Sequence, residues 1–217
     1  PNCSTIPVAR VVHELDKAYG LKKMIVSTYQ AASGGGLTGI EDLHKSVGDI
    51  LNEGKAEDAH AGRFPEPLGY NVIPAIDVGL ETGFTLEEQK ILQESRKILE
   101  LPELKVSAHA VRVPVVNGHS ESVYFETEKD IASADEIADL IRNGEEVEVY
   151  HQGAEIRYPT PVKVSGSDFV HVGRIRKDRL EQNAGWFWVV SDNLKVGAAL
   201  NAVQIAEKVC AFAREEV

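Results

Sequence analysis

The chain has 217 residues, of which 43% are hydrophobic and 26% charged, the composition of a folded globular protein that can bury a sizeable core. Its formal net charge of −11 argues against nucleic acid and anionic membrane as partners. We find no signal peptide and no run of the roughly 20 apolar residues that a membrane span needs. Two cysteines without disulfide or metal spacing, Cys3 and Cys210, indicate a reducing, cytoplasmic setting. Because the chain begins at Pro1 and its sole methionine is Met24, we expect a piece of a longer protein.

The first predicted helix begins directly after Cys3. Ser4 or Thr5 can serve as its N-cap, and Gly20 suits its C-terminal end. The exposed N–H groups and the positive dipole end of a helix favour a thiolate over a thiol. Cys3 is therefore a candidate nucleophile, with a small buried core cysteine as the alternative.

The following elements mix strands and helices without strict alternation. Capping boxes predict three helix starts, at Thr38 with Glu41, Thr85 with Glu88, and Ser133 with Glu136. Alternating or apolar runs predict strands at 24–30, 106–113, 121–127, 147–150, 169–176 and 186–191. This pattern predicts an α+β fold, with a mixed, largely antiparallel sheet and helices packed on one face.

A last helix is predicted from Asp192 or Asn193 towards the end of the chain. Its spacing indicates a buried apolar stripe of Val196, Leu200, Val203, Ala206 and Cys210. The stretch 144–166 contains no motif that we can assign, and we interpret it as an arm or sheet edge used in dimer contact.

The glycine loop at residues 34–39 matches G-x-G-x-x-G, but it lacks the context of a dinucleotide-binding unit. A buried strand should follow the next helix, whereas the polar segment 54–62 follows it instead. We therefore expect no self-contained dinucleotide site here. Consecutive glycines still allow the backbone to approach a ligand closely.

Two further groups are ambiguous when taken alone. Gly118 predicts a turn that presents His119 at a strand end, and Cys3 with His119 would be the minimum for thiol catalysis. The histidines show no metal-ligand spacing, so we expect no metal site. Glu94 and Lys97 have the i, i+3 spacing of an ordinary solvated helix pair.

In order along the chain, five motifs together resemble the catalytic and dimerisation half of the aspartate-β-semialdehyde dehydrogenase family. The motifs are Asn2-Cys3-Ser4-Thr5, Thr28-Tyr29-Gln30-Ala31-Ala32-Ser33-Gly34, Asn71-Val72-Ile73-Pro74, Arg112-Val113-Pro114-Val115 with Gly118-His119-Ser120, and Asp192-Asn193-Leu194-Lys195 with Gly197-Ala198-Ala199. The resemblance covers essentially residues 1–217, which it implies to be a single domain of the type found at the C-terminus of glyceraldehyde-3-phosphate dehydrogenase. The NADP-binding Rossmann domain of the family has no counterpart here.

The resemblance implies conversion of L-aspartate 4-semialdehyde, phosphate and NADP to 4-phospho-L-aspartate and NADPH, on the route to lysine, threonine and methionine. It implies a role for each matching residue. Cys3 would be the nucleophile and thioester site, His119 would be the general acid/base, and Gln30 would orient the acyl group. Arg112 would bind the substrate carboxylate, Glu94 would bind its ammonium group, and Lys97 would bind phosphate. The cofactor would be contacted by Ser33, Gly34 and Asn193. A homodimer is implied, and without the missing domain the chain should be inactive.

Three other interpretations remain open. One is a related enzyme such as an N-acetyl-glutamyl-phosphate reductase, although the pair Arg112 and Glu94 suits a free amino acid better than an acylated one. Another is a dimerisation module that has lost catalysis, which the joint presence of Cys3, Gln30, Arg112 and His119 argues against. The last is a cysteine hydrolase built on Cys3 and His119, which would need neither phosphate nor nicotinamide.

Overall fold

The computed structural model describes residues 1–152 and 155–215, which form six helices and six strands. The helices are α1 (Thr5–Tyr19), α2 (Gly36–Glu53), α3 (Leu86–Ile98), α4 (Ala134–Ile141), the single turn α5 (Pro161–Val164) and α6 (Leu200–Glu215). The strands are β1 (Leu21–Gln30), β2 (Lys105–Arg112), β3 (His119–Thr127), β4 (Val147–Tyr150), β5 (Val170–Lys177) and β6 (Ala184–Ser191).

All six strands join one sheet in the order β2-β1-β3-β6-β5-β4. The pairs β1–β2 and β4–β5 are parallel, and the three pairs between them are antiparallel. The predicted mixed, largely antiparallel sheet is therefore confirmed. Because β1 has a parallel neighbour on one side and an antiparallel one on the other, its C-terminal end meets the end of β2 and the beginning of β3.

The core lies between the sheet and the helices α1, α3 and α4, so the prediction of helices on one face is confirmed. Helix α1 buries Val8, Val11, Val12 and Leu15 completely. Burying a side chain of this size contributes about 1.5–3 kcal/mol. The helix that begins beside Cys3 is thus fixed to the centre of the fold.

Local capping signals placed two of the three helix starts correctly. Thr85 and Glu88 form both bonds of the capping box, and the Ser133 side chain accepts the N–H of Glu136. The predicted start at Thr38 is wrong, because a 3₁₀ turn over Ala32–Gly35 continues directly into α2 from Gly36. The glycine loop is therefore wound into a helix entrance.

The prediction of a buried apolar stripe on the last helix is confirmed at Val196 and in part at Leu200, which is half-buried against the core, and is wrong for Val203, Ala206 and Cys210. Val196 is buried in a π-helical turn (Lys195–Ala199), but Val203 and Cys210 on α6 are exposed. By length and composition the helical run Lys195–Arg214 could cross a membrane, so the expectation that no segment reaches this threshold is also wrong.

Polar contacts fasten α6 to the rest of the chain. Arg10 on α1 donates to Glu146 over 2.6 Å and to Gln204 over 2.7 Å, and Gln204 donates to Glu146. Within the described residues, the side of α6 that carries Val209 and Phe212 is exposed.

The stretch 144–166 contains the edge strand β4 and the turn α5, with residues 153 and 154 outside the described residues. The sheet-edge part of the prediction is confirmed, while its use in a dimer stays a prediction.

A buried carboxylate on α2 holds the irregular segment 54–69 in place. Asp42 accepts the His60 imidazole over 2.6 Å and the Arg63 N–H over 3.0 Å. These bonds lower the pKa of Asp42, with the Arg63 N–H as the larger cause. Phe64 and Leu68 of this segment pack on Leu43 in a small second core.

We expect Asp42→Asn to destabilise the chain by roughly 1 kcal/mol, since the amide is a weaker acceptor for both donors. For a chain of this length that lowers Tm by about 2–4 °C. Limited proteolysis should cut within 54–69 faster than in the parent. The exposed neighbour Glu41 offers the control Glu41→Gln, and equal cleavage of both variants would contradict the assignment.

Candidate active site

A cleft of about 770 Å³ opens where β1 and β2 end, next to the start of α1. The pairing of Gln30 with Arg112 aligns the two strand ends, and the pairing of Tyr29 with Ser120 brings the start of β3 beside them. The lining side chains most relevant to chemistry are Cys3, Gln30, Arg63, Glu87, Lys90 and Arg112.

Asn2 holds Cys3 at the start of α1. The Asn2 carbonyl accepts the N–H groups of Thr5 and Ile6, and its side chain accepts the N–H of Ser4. Ser4 occupies the predicted N-cap position, but its side chain makes no capping bond. The helix start is therefore capped from Asn2.

The electrostatics of Cys3 differ from the expectation. Burial, together with the carboxylates of Glu87 and Glu121, raises the pKa of the Cys3 thiol to about 12, although the Arg112 guanidinium opposes the rise. Desolvation disfavours the charged form, and here it outweighs the effect of the helix terminus. The expected bias towards thiolate is therefore wrong for this state of the protein.

His119 is completely buried instead of presented at an open strand end. Its Nδ1 accepts the Ala31 N–H over 3.0 Å, which places the proton of the neutral ring on Nε2. Burial, with the nearby Arg112, lowers the pKa of His119 to about 3. The ring is neutral, and Nε2 is a hydrogen-bond donor.

Gly34 separates this imidazole from the cleft. A Cβ built on Gly34 would lie 2.7 Å from Arg112 Nη1 and 3.2 Å from His119 Nε2. Only a residue without a side chain leaves both groups in their positions.

Gln30 connects the floor of the cleft to α3. Its amide nitrogen donates to Glu87 over 3.0 Å, and its oxygen accepts from Thr28. Lys90, one helical turn beyond Glu87, pairs with Asp77 over 2.7 Å and reaches Glu87 at 3.5 Å. A carboxylate and an ammonium thus line the cleft on the α3 side.

Glu94 and Lys97 do not line the cleft. Glu94 accepts the backbone N–H of Asn2 over 2.6 Å, which ties α3 to the segment carrying Cys3, and Lys97 is exposed. The pair that lines the cleft, Glu87 and Lys90, has the same i, i+3 spacing two helical turns earlier.

Arg112 at the end of β2 also lines the cleft. Its Nη1 donates to the Ala31 carbonyl over 2.6 Å, and its guanidinium lies 5.7 Å from the centre of the Phe64 ring. Arg63, from the segment fixed by Asp42, donates to the Gly35 carbonyl and adds a further cation.

Ser33 and Asn193 lie together behind the glycine loop. The Ser33 hydroxyl is 3.0 Å from the Asn193 side-chain oxygen, which also accepts the Gly118 N–H. Both residues are buried, whereas Gly34 is exposed. Of the three residues expected to contact the cofactor, Gly34 alone has an open surface.

The sequence reasoning missed Arg63, Glu87, Lys90 and Glu121. The spacing of Glu87 and Lys90 was a signal, but Glu94 and Lys97 share it. Glu121 lies two residues before the buried Val123 on β3, so both side chains point to the inner face of the sheet.

The two cysteines should differ strongly in reactivity. At pH 8 we expect iodoacetamide to modify exposed Cys210 at least about tenfold faster than Cys3, because a raised thiol pKa leaves little thiolate. Peptide mass spectrometry after timed quenching measures both rates, and Cys210→Ser isolates the slow one. Equal rates would contradict the burial of Cys3.

Comparison with known proteins gives consistent matches along the chain. A family model described as semialdehyde dehydrogenase, dimerisation domain, matches residues 14–196. The aspartate-semialdehyde dehydrogenase of Aquifex aeolicus is 47% identical over 207 residues, and that of Bacillus subtilis is 42% identical over 211. Each match covers 95% of this chain but only 60% and 61% of the relative.

Solved structures agree. Aspartate semialdehyde dehydrogenase II of Vibrio cholerae, complexed with ASA, superposes with a TM-score of 0.89 at 38% identity, over 95% of this chain and 60% of that one. The Candida albicans enzyme, solved with NADP, gives a TM-score of 0.68 at 26% identity over 95% and 55%. The chain thus spans about 60% of the length of its relatives and belongs to the semialdehyde dehydrogenase family, whose dimerisation domain it contains.

Proposed function

We propose that this chain is the catalytic and dimerisation part of an aspartate-semialdehyde dehydrogenase. The whole enzyme would convert L-aspartate 4-semialdehyde, phosphate and NADP to 4-phospho-L-aspartate and NADPH, in the biosynthesis of lysine, threonine and methionine. The observation that carries the proposal is the cleft, where a thiol, an amide, a guanidinium, a carboxylate and an ammonium converge.

The charges of the cleft suit a small amino-acid substrate. Arg112 can bind an α-carboxylate through two parallel bonds, and Glu87 can bind an α-ammonium. Lys90 provides a point charge for phosphate. In this proposal Glu87 and Lys90 take the roles that the sequence assigned to Glu94 and Lys97.

The reaction begins at the Cys3 thiol, which adds to the aldehyde carbon to give a thiohemiacetal. In this proposal Gln30 orients the adduct, and the Nε2–H of His119 donates to its oxygen. Taking a proton at Nε2 would require the ring to release the Ala31 N–H, because Nδ1 would then carry the proton. His119 therefore starts as a donor and acts as a base only after that bond breaks. Loss of a hydride and of the hydroxyl proton would convert the thiohemiacetal into a thioester, from which phosphate would displace the Cys3 thiolate.

NADP supplies the hydride acceptor when it is bound. On this chain the residue that fits it is Gly34, where a side chain would occupy the space in front of Arg112 and His119. Ser33 and Asn193 support that loop from behind. Most of the cofactor contacts would come from the part of the relatives that this chain does not cover.

The same proposal includes a homodimer. The face of the sheet away from the helices carries paired aromatic rings, Tyr29 with Trp188 at 5.4 Å and Tyr124 with Trp186 at 5.0 Å. On this face the side chains of Tyr29 and Ile25 are 39% and 40% exposed. Such a surface suits a second copy of the chain.

A chimera tests the proposal. It joins this chain to the part of the Aquifex aeolicus relative that the chain does not cover, and NADPH formation is followed at increasing semialdehyde with phosphate present. We expect turnover by the chimera, none with Cys3→Ser, and none by the chain alone. N-acetyl-glutamate semialdehyde and a simple thioester serve as competing substrates. Preference for either would reject the proposal in favour of the reductase or the hydrolase.

The assay should distinguish the pair Glu87 and Lys90 from the pair Glu94 and Lys97 by the effect of substitution on kcat/KM. We expect Glu87→Gln and Lys90→Gln to lower kcat/KM for semialdehyde and phosphate by at least about tenfold, since a buried charged hydrogen bond contributes roughly 1.5–3 kcal/mol. Glu94→Gln and Lys97→Gln are the matched controls, and Lys97→Gln should change kcat/KM less than about twofold. A larger loss for Lys97→Gln than for Lys90→Gln would restore the original assignment.

A further inference from the structure

Asp192 directly follows β6, and its carboxylate accepts four N–H groups from three segments of the chain. Oδ1 accepts the backbone N–H groups of Leu194 over 2.9 Å and Lys195 over 3.0 Å. Oδ2 accepts the backbone N–H of Gly166 over 2.7 Å and the side-chain amide of Asn117 over 2.8 Å. The residue is buried. Because hydrogen bonds to an ionised acceptor are stronger than those between neutral groups, this carboxylate ties the three segments together.

The first carboxylate oxygen caps the π-helical turn Lys195–Ala199. Within this turn the Gly197 N–H donates to the Asp192 carbonyl and the Ala199 N–H donates to the Leu194 carbonyl, each over 3.1 Å and five residues back. Single turns of this kind are rare and occur frequently at functional sites. Asp192 therefore holds the π-helical turn through its side chain and through its backbone.

Gly197 in this turn lies directly against the proposed nucleophile. A Cβ built on Gly197 would lie 2.8 Å from the Cys3 Cβ and 3.1 Å from its Cα. Atoms in a packed interior do not approach so closely, so a side chain here would displace either Cys3 or the turn. The π-helical turn that Asp192 caps is thus a second support for Cys3, besides Asn2.

The second carboxylate oxygen reaches the turn that precedes His119. Asn117, which donates to Asp192, is separated from His119 by Gly118 alone. His119 itself pairs in the sheet with Ser191, the residue before Asp192. A side-chain hydrogen bond and the strand pairing therefore both connect Asp192 to the segment that carries the imidazole.

We propose that Asp192 is a positioning residue for the reaction: one carboxylate oxygen holds the turn that packs on Cys3, and the other holds the turn that precedes His119. One buried side chain thereby sets the nucleophile and the acid/base group relative to each other. A misplacement of about 1 Å between reacting groups can cost about a hundredfold in rate. This inference rests on the proposed function, in which Cys3 attacks the aldehyde and His119 acts on the adduct.

Substrate binding should be unaffected by Asp192, because other elements hold the side chains proposed to bind the substrate. Arg112 on β2 donates to the Ala31 carbonyl, and Glu87 on α3 accepts from Gln30. Neither hydrogen bond involves the Asp192 carboxylate. A positioning role therefore predicts a loss in kcat without a matching rise in KM.

The chimera described above provides the kinetic test. We expect Asp192→Asn to lower kcat by about tenfold to a hundredfold while KM for the semialdehyde changes less than about twofold, because one amide oxygen can serve only one of the two turns. Asp168→Asn is the matched control, since Asp168 is exposed and pairs with the Lys195 ammonium in the same region. A kcat within about twofold of the parent, or a loss confined to KM, would overturn the proposal.

Gly197→Ala tests the contact with Cys3 separately and serves if Asp192→Asn does not fold. Since its Cβ would need space that Cys3 occupies, we expect kcat to fall by at least about tenfold. Gly48→Ala on α2 is the control, because a Cβ at Gly48 meets no atom within 4 Å. Equal kcat values for the two glycine variants would overturn the placement of Cys3 by the π-helical turn.

Amide hydrogen exchange of the chain alone tests the same connection without activity. We expect Asp192→Ala to accelerate exchange by at least about tenfold both at Gly118 and at Thr5 and Ile6, which follow Cys3, because both turns lose a charged acceptor. Asp168→Ala should accelerate exchange at neither place. Faster exchange confined to the residues around position 192 would show that Asp192 does not join the two turns, and would overturn the proposal.

These outcomes separate the inference from the proposed function. A parent chimera without turnover would reject the proposed function, and the exchange measurement would then decide whether Asp192 joins the two turns. Turnover by the parent together with an unchanged kcat for Asp192→Asn would uphold the function and reject the positioning role.

Discussion

The register in which β1 pairs with its two neighbours is the constraint on which the site depends. Gln30 lies opposite Arg112 on one side, while on the other Thr28 lies opposite Glu121. A slip of one residue would turn the inner side chains of a strand to the outer face. The apolar pairs further along, such as Val26 with Val123, resist that slip because both are fully buried. The hydrophobic core therefore determines which polar groups face the cleft.

Burial gives these groups properties that they would lack in water. Burial raises the pKa of Cys3 to about 12, lowers that of His119 to about 3 and raises that of Glu121 well above its usual range, in each case because the charged form is poorly solvated. The side chains of Arg112, Glu87 and Lys90, which also line the cleft, all have hydrogen-bonding partners. A neutral reactive side thus faces a charged binding side. That division suits a small zwitterion, whose charges can be fixed while its carbonyl stays in a dry environment.

Local signals explain what could be predicted from the sequence. The capping box at Thr85 and the alternation of Val123 and Phe125 depend only on neighbouring residues, and both were correct. The predicted start of α2 at Thr38 was wrong. The 3₁₀ turn that leads into α2 is formed largely by small residues without a capping pattern, whereas Thr38 and Glu41 have one. The family motifs identified Cys3, Gln30 and Arg112, which line the cleft, and His119, which lies behind Gly34.

What could not be predicted depends on distant parts of the chain. Glu87 and Glu94 have equal spacing to a lysine, and only the packing of α3 against Gln30 selects between them. The apolar spacing of α6 predicted burial, but spacing does not reveal whether the chain supplies a surface to cover it. The raised pKa of Cys3 follows from burial and from the carboxylates of Glu87 and Glu121, which come from different elements, so no local motif encodes it.

The cleft has two walls of unequal rigidity, and this bears on how the family could diversify. The wall with Cys3 is continuous with α1, so moving the nucleophile would disturb Val8, Val12 and the rest of the central core. The wall with Arg63 belongs to a surface segment held by the Asp42 and Asp49 carboxylates, the Ser46 hydroxyl and a few apolar contacts. Substitutions there can reshape the pocket at little cost to folding. New substrates would therefore be acquired by editing segment 54–69 while the thiol and its helix stay unchanged.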